Sequence, residues 1–336
     1  IASYICEIIK KRSDIQWNID ILNIVVDLAT NYQHTILSQD EELDTFDKIL
    51  NKSLNSVSGD ISSAISVLIS TNKDLFSFFE SSIVSLINGE NIVVQFSSLT
   101  ILFSALKINK EWATKNILQL LESNNLFSGF FQIKDFLISL YPSHRKHILS
   151  IIKNIYNSED KHVVKVGSAA ICELYILENE FETIIDDINQ MKKEQVETIF
   201  EMAKLYLKED KFNSKAKKMI LNLMVNRPEL NLSISSIFNH KYIDINRDKN
   251  FILEVTNLDL RERTVYSFVR YLQRENISLF ECKDIIFAIC YQLIENPKEY
   301  KNFYHLEDKL YKLVVGLYDE VLGSQRDELK LVREEC

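Results

Sequence analysis

Glycine and proline are scarce in this chain. There are six and three of them in 336 residues, where an average protein of this length carries about 40 of the two together. Hairpin turns, bulges and phosphate-cradling loops draw on these residues, so a β-sandwich, a barrel or a Gly-rich nucleotide fold is not expected. Cysteine provides no framework either. Cys6, Cys172, Cys282, Cys290 and Cys336 are odd in number, widely spaced and without a CxxC pair. That pattern fits neither a disulfide scaffold nor a structural zinc site. The first four sit among apolar neighbours and read as reduced thiols packed as small hydrophobes, as in a cytosolic protein. No charged-then-apolar leader opens the chain, and no apolar run reaches 18 residues, so no membrane span is expected. The GxxxxGK phosphate loop and the GxSxG nucleophile elbow are both missing. With 48 acidic and 39 basic side chains the net charge is −9, which counts against broad contact with nucleic acid or anionic membrane.

What remains is ordinary folded composition, 46% hydrophobic and 26% charged, arranged almost throughout with helical spacing. Leu306, Leu310, Leu313, Val314, Leu317 and Val321 form one stripe of a 3.6-residue helix, and Leu279, Cys282, Ile286, Ile289, Cys290 and Leu293 form another. Ser278 with Glu281 has the spacing of a capping box. Pro142, Pro228 and Pro297 fall where helices are expected to end. The rhythm predicts nineteen helices, among them 41–57, 132–141, 143–157, 180–190, 229–239, 260–275, 303–322 and 325–336, with helix above 65% and essentially no sheet. Segments 31–42 and 240–250 read as loops. No shift of composition marks a second domain, so residues 1–336 are expected to form one array. An initial Ile and an uncapped last helix read as cuts in a longer chain.

Two segments are similar to one another: Glu90 to Ser98 aligns with Asp160 to Ser168 at an offset of 70, two units of 35. Helix pairs with such periods mark stacked α-solenoids. The segment 144–177 resembles a HEAT repeat. The carriers are Asp160 at the turn, the Val163-Val164-Lys165 run, and the small residues Ala169 and Ala170 where two helices would touch. Val93-Val94-Gln95 is a degenerate copy, and Asp259 to Arg274, with Val265 entering the core, reads as a third. This resemblance implies an all-α fold, a right-handed α-α superhelix of the HEAT/armadillo-like solenoid class. A looser resemblance lies in Leu310 to Glu320 and Glu328 to Cys336, which are similar to the C-terminal helical region of bacterial STAND or NACHT-type signalling ATPases. That family implies a sensor role in antiviral defence, with any ATPase module upstream of Ile1.

Catalytic constellations are not found in the pattern. Of the six histidines only His144 and His147 lie close, at i and i+3, beside Arg145 and Lys146, whose charge opposes a cation. Adjacent acids such as Asp186-Asp187 diverge on a helix and form no dyad. The uneven feature is arginine. Five of ten fall at Arg247, Arg261, Arg263, Arg270 and Arg274, and the last three share a helix face with Tyr266 nearby. Arginine forks to carboxylate and phosphate, so the stripe is a candidate partner-binding site. The competing reading is a ladder of ion pairs to a neighbouring helix, through Glu254 or Asp284. The expected function is accordingly non-enzymatic protein recognition or scaffolding, in the cytoplasm, with no cofactor, no metal and no membrane. The alternative is a nucleic-acid-binding HEAT-like module.

Overall fold

The computed structural model describes residues 1–31, 42–230, 232–238, 242–258, 262–275, 277–295 and 304–323. Among them are sixteen α-helices and no strand, and helix of all kinds accounts for 82%, above the 65% expected. In chain order the helices are α1 (Ala2–Lys11), α2 (Ile19–Asn31), α3 (Phe46–Leu54), α4 (Val57–Thr71), α5 (Leu75–Asn88), α6 (Ile92–Ala105), α7 (Lys110–Ser123), α8 (Ile133–Tyr156), α9 (Lys161–Glu178), α10 (Glu182–Asp186), α11 (Lys193–Leu205), α12 (Asp210–Asn226), α13 (Ile245–Leu258), α14 (Glu262–Glu275), α15 (Lys283–Glu295) and α16 (Tyr304–Gly323). The expected helix at 325–336 lies outside the described residues. The helices gather into two compact units, residues 1–170 and 171–336.

In the first unit α6 is the central element. Its buried residues, from Val93 through Phe96, Leu99 and Leu102 to Ala105, run round the helix rather than along one stripe. A helix apolar on all sides belongs inside, and α6 is packed against α3, α4, α5 and α7, while α1 lies on α4 and α2 on α5. Short polar caps set where α4, α6 and α7 start. Ser56, Asn91 and Asn109 accept amides from Gly59, Val93 and Trp112, each removing an unsatisfied donor from a helix N-terminus.

Asp160 caps twice. One carboxylate oxygen accepts the amides of His162 and Val163 at the start of α9, and the other accepts the amide of Phe46 at the start of α3. The neighbouring Asp47 then pairs with His162 at 3.0 Å. The turn aspartate thus ties two helix starts 114 residues apart in sequence. Gly167 sits where α9 meets α8. A Cβ there would lie 2.5 Å from the Tyr156 backbone nitrogen, so the small-residue segment is required by close helix approach.

In the second unit α13 stacks on α15 and α14 on α16. Contact between every second helix is what successive helix hairpins produce when they stack, so the architecture is all-helical and repeat-like. Phe238 meets the ring of Phe268 at 5.5 Å, and Phe287, Leu317 and Val321 bury one another beneath Leu279 and Phe280.

Two local expectations are corrected and one boundary is kept. The helices expected at 132–141 and 143–157 are found as two segments of α8 that meet at a kink beside Pro142, with non-helical backbone at His144. Proline removes an amide donor, and the Ser143 hydroxyl donates to the Leu140 carbonyl inside the disturbed turn. The helix at 180–190 is broken. Asn179 and Phe181 have positive φ, and only Glu182–Asp186 and a 3-10 turn at Ile188–Gln190 are helical. Lys215 holds that turn through the Tyr175 carbonyl and the Asn179 side chain. Finally, Ser278 is not capped by Glu281. Its hydroxyl and the amides of Leu279 and Phe280 all donate to Glu320 of α16, at 2.8, 3.0 and 3.1 Å.

Candidate partner-binding face

Helix α14 is sharply two-sided. Val265, Phe268, Val269 and Leu272 are buried at offsets 0, +3, +4 and +7, the core-facing stripe of an amphipathic helix. The opposite stripe runs Arg263, Tyr266, Arg270, Arg274, at offsets 0, +3, +7 and +11, and its three arginines are exposed. Apolar burial therefore fixes the rotation of the helix and leaves the arginine row outside.

The α14–α16 contact adds a residue that lies 43 positions away in sequence. Lys309 of α16 holds its ammonium 3.5 Å from the centre of the Tyr266 ring. Arg270 approaches the same ring at 5.9 Å. Lys309, by its hydrogen bond and its charge, holds the Tyr266 phenol below its ordinary range, and Arg270 adds to the effect. Among the described residues no carboxylate lies within 4 Å of Arg263, Arg270 or Lys309. The nearest acid in sequence, Asp308, is engaged by Lys312 at 2.7 Å. A chain of net charge −9 thus carries, among its described residues, a small cationic surface with a tyrosine at its centre.

The remaining arginines divide. Arg274 keeps 44% of its side chain exposed but pairs with Glu275 at 2.9 Å and also reaches the Phe238 carbonyl. Arg261 lies outside the described residues. Arg247 is placed elsewhere, on α13, inside a polar knot. It donates twice to Asp248 at 2.9 Å, once to Asp210 at 2.8 Å and once to the Leu207 carbonyl at 2.8 Å. Asp248 is fully buried and also takes Lys217 at 2.6 Å and the Asp244 amide. Burial pushes the Asp248 carboxyl up, but the bonds from Arg247 and Lys217 outweigh it and hold the carboxyl below its ordinary range. The same bonds, led by that to Asp248, push the Arg247 guanidinium up. Such a knot joins α12 to α13 and leaves Arg247 no free fork for a partner. Asp284, a proposed acid for the arginine ladder, pairs with Lys249 instead.

His144 and His147 do not converge. His144 meets the Ser143 hydroxyl at 2.8 Å, and His147 meets Glu122 at 2.6 Å. The cysteines Cys6 and Cys282 are buried, and burial pushes their thiols up to about 11 and about 12. Both stay protonated and unreactive at neutral pH.

The assembled face can bind anions without chemistry. Arg263 and Arg270 stand seven residues apart, about 10.5 Å along the helix, and each presents a planar fork suited to carboxylate or phosphate. Tyr266 between them adds a flat apolar surface with a polar tip. No family model, curated protein or solved structure matches the chain.

Proposed function

We propose that this chain is a non-enzymatic recognition module of HEAT-like stacked helices, a right-handed solenoid, which captures an acidic protein segment on the α14–α16 face. The carrying observation is the row Arg263, Tyr266, Arg270 with Lys309 against the ring, free of carboxylate neighbours among the described residues. The helix spacing favours a partner helix whose acids are one heptad apart, because two helices lying side by side share the same rise. In a larger protein this module would serve as the sensor region of a bacterial signalling ATPase, the role implied by the resemblance of its C-terminal helices.

The reading is tested by fluorescence anisotropy with two labelled probes, a helical peptide bearing Glu at i, i+3 and i+7, and a duplex DNA of matched charge. Micromolar binding of the peptide with weak, strongly salt-dependent binding of the duplex supports protein recognition. Tighter binding of the duplex, with a salt slope of about −0.9 per neutralised phosphate, transfers the face to nucleic acid and overturns the reading.

A further inference from the structure

Helix α16 has two apolar faces. Leu310, Leu313, Leu317 and Val321 are buried, on the side where α16 lies against α14 and α15. A second stripe, Tyr311, Val315, Tyr318 and Leu322, runs along the opposite side at offsets 0, +4, +7 and +11. Its members are between 38% and 69% exposed. Four large side chains in a row over three turns exceed the scattered exposed apolar residues of an ordinary surface, and tyrosine is enriched where proteins meet.

The charged residues of α16 divide around this stripe. Asp308, Lys312 and Asp319, all exposed, follow one of its edges. Lys312 pairs with Asp308 at 2.7 Å, whereas Asp319 has no cation within 4 Å among the described residues. Glu320 turns away, to the amides of Leu279 and Phe280, and Lys309 turns to the Tyr266 ring. The intervals of the stripe, 4, 3 and 4, read the same in both directions. A second copy laid antiparallel, about a two-fold axis between Gly316 and Leu317, therefore sets Tyr311 against Leu322 of the other copy and Val315 against Tyr318 of the other copy. In that register Lys312 of each copy stands about 3 Å along the axis from Asp319 of the other. A parallel pair would instead set Lys312 beside Lys312 and Asp319 beside Asp319.

We infer that this face is the contact of a symmetric antiparallel dimer of the chain, formed by α16 against α16 of a second copy. A closed two-fold contact uses the same patch on both copies, and a palindromic stripe with opposite charges along its edge supplies one. Three turns of helix from each copy bury about 1,000 Å² in total, the lower bound for a specific interface, so the dimer is weak and reversible. The stripe contains none of Arg263, Tyr266, Arg270 and Lys309, and the inference does not rest on the cationic face of α14.

Sedimentation velocity of the whole chain from about 5 to about 500 µM is the test, with melting curves recorded for every variant. The expected result is a reversible monomer–dimer equilibrium with a Kd of about 100 µM. Val315→Glu weakens it at least ten-fold, with a melting curve close to that of the unaltered chain because the position is exposed. Lys312→Asp and Asp319→Lys each weaken the dimer, and the two together restore it. A chain that stays monomeric at about 500 µM overturns the inference, whether another segment covers the stripe or nothing does. So does a dimer that survives Val315→Glu, or a double charge exchange that associates no better than either single variant.

Discussion

Replacing Gly167 by alanine separates the proposed close helix contact from ordinary helix propensity, because the two act with opposite sign. Gly167 lies inside α9, and alanine in a helix interior is favoured over glycine by about 1 kcal/mol. If the position were open, Gly167→Ala would stabilise the chain. The added Cβ, however, falls 2.5 Å from the Tyr156 nitrogen, 2.7 Å from its Cα and 2.9 Å from the Ile155 carbonyl carbon. All three are backbone atoms of the last turn of α8, so no side chain can rotate aside. Restoring ordinary contact moves the helices apart by about 1 Å and loosens Ile155, Tyr156 and Val163, which are buried at this contact. Overpacking of this kind costs about 3 kcal/mol, and the net loss is about 2 kcal/mol. Urea unfolding of the whole chain, followed by circular dichroism, is the assay. With a slope of about 2 kcal/mol per molar, the transition that reports the first unit moves down by about 1 M. A variant that unfolds at the same or a higher urea concentration refutes the close approach of α8 and α9.

Glu320 caps the segment leading into α15 from another helix, so Glu320→Gln lowers stability by about 1 kcal/mol at neutral pH. Burial pushes this carboxyl up, but the amides of Leu279 and Phe280 and the Ser278 hydroxyl outweigh it and hold it below the ordinary range. The contribution is therefore complete above the unfolded glutamate pKa and is lost as pH falls through the lower folded value, so melting curves of the two proteins converge only on the acid side of the ordinary glutamate range. Asp248→Asn removes the buried charge that balances Lys217 and, together with Asp210, Arg247 inside the second unit. A loss of about 3 kcal/mol is expected, read as a fall in urea midpoint, and a neutral result would refute the structural role of the knot. In an alkaline absorbance titration Tyr266→Phe deletes a component that ionises below the ordinary tyrosine range, and Lys309→Met moves that component upward. Tyr271, whose phenol burial pushes up to about 12, remains at the high end in both.

Most of the helical frame was legible because burial of one face leaves a periodic trace. The stripe of α14 is the clearest case, since Val265, Phe268, Val269 and Leu272 alternate with arginines at the period of a helix. Features made by contacts distant in sequence left no such trace. Nothing near Tyr266 announces Lys309, and Ser278 has a suitable acid three residues on, so the cap from Glu320 was hidden behind a plausible local one. Asp248 shows the limit in another way. The segment that holds Arg247 and Asp248 reads as a loop, and only the fold reveals that Lys217 and Asn213 make burial of that carboxylate tolerable. Pro142 was legible as a boundary because its missing amide and its ring disturb the preceding turn, and the backbone does break beside it, at His144.

The account stands most directly on the cationic face of α14, and the decisive measurement is charge reversal there. The double variant Arg263→Glu, Arg270→Glu is compared with the unaltered chain for anisotropy of the labelled acidic helix peptide, with melting curves recorded on the same samples. Exposed charges contribute about 0–1 kcal/mol each to stability, so the melting curves are expected to stay close, while affinity for the peptide falls at least ten-fold. Binding that survives the reversal, or a variant that loses stability and keeps its affinity, would contradict the proposed role of this face.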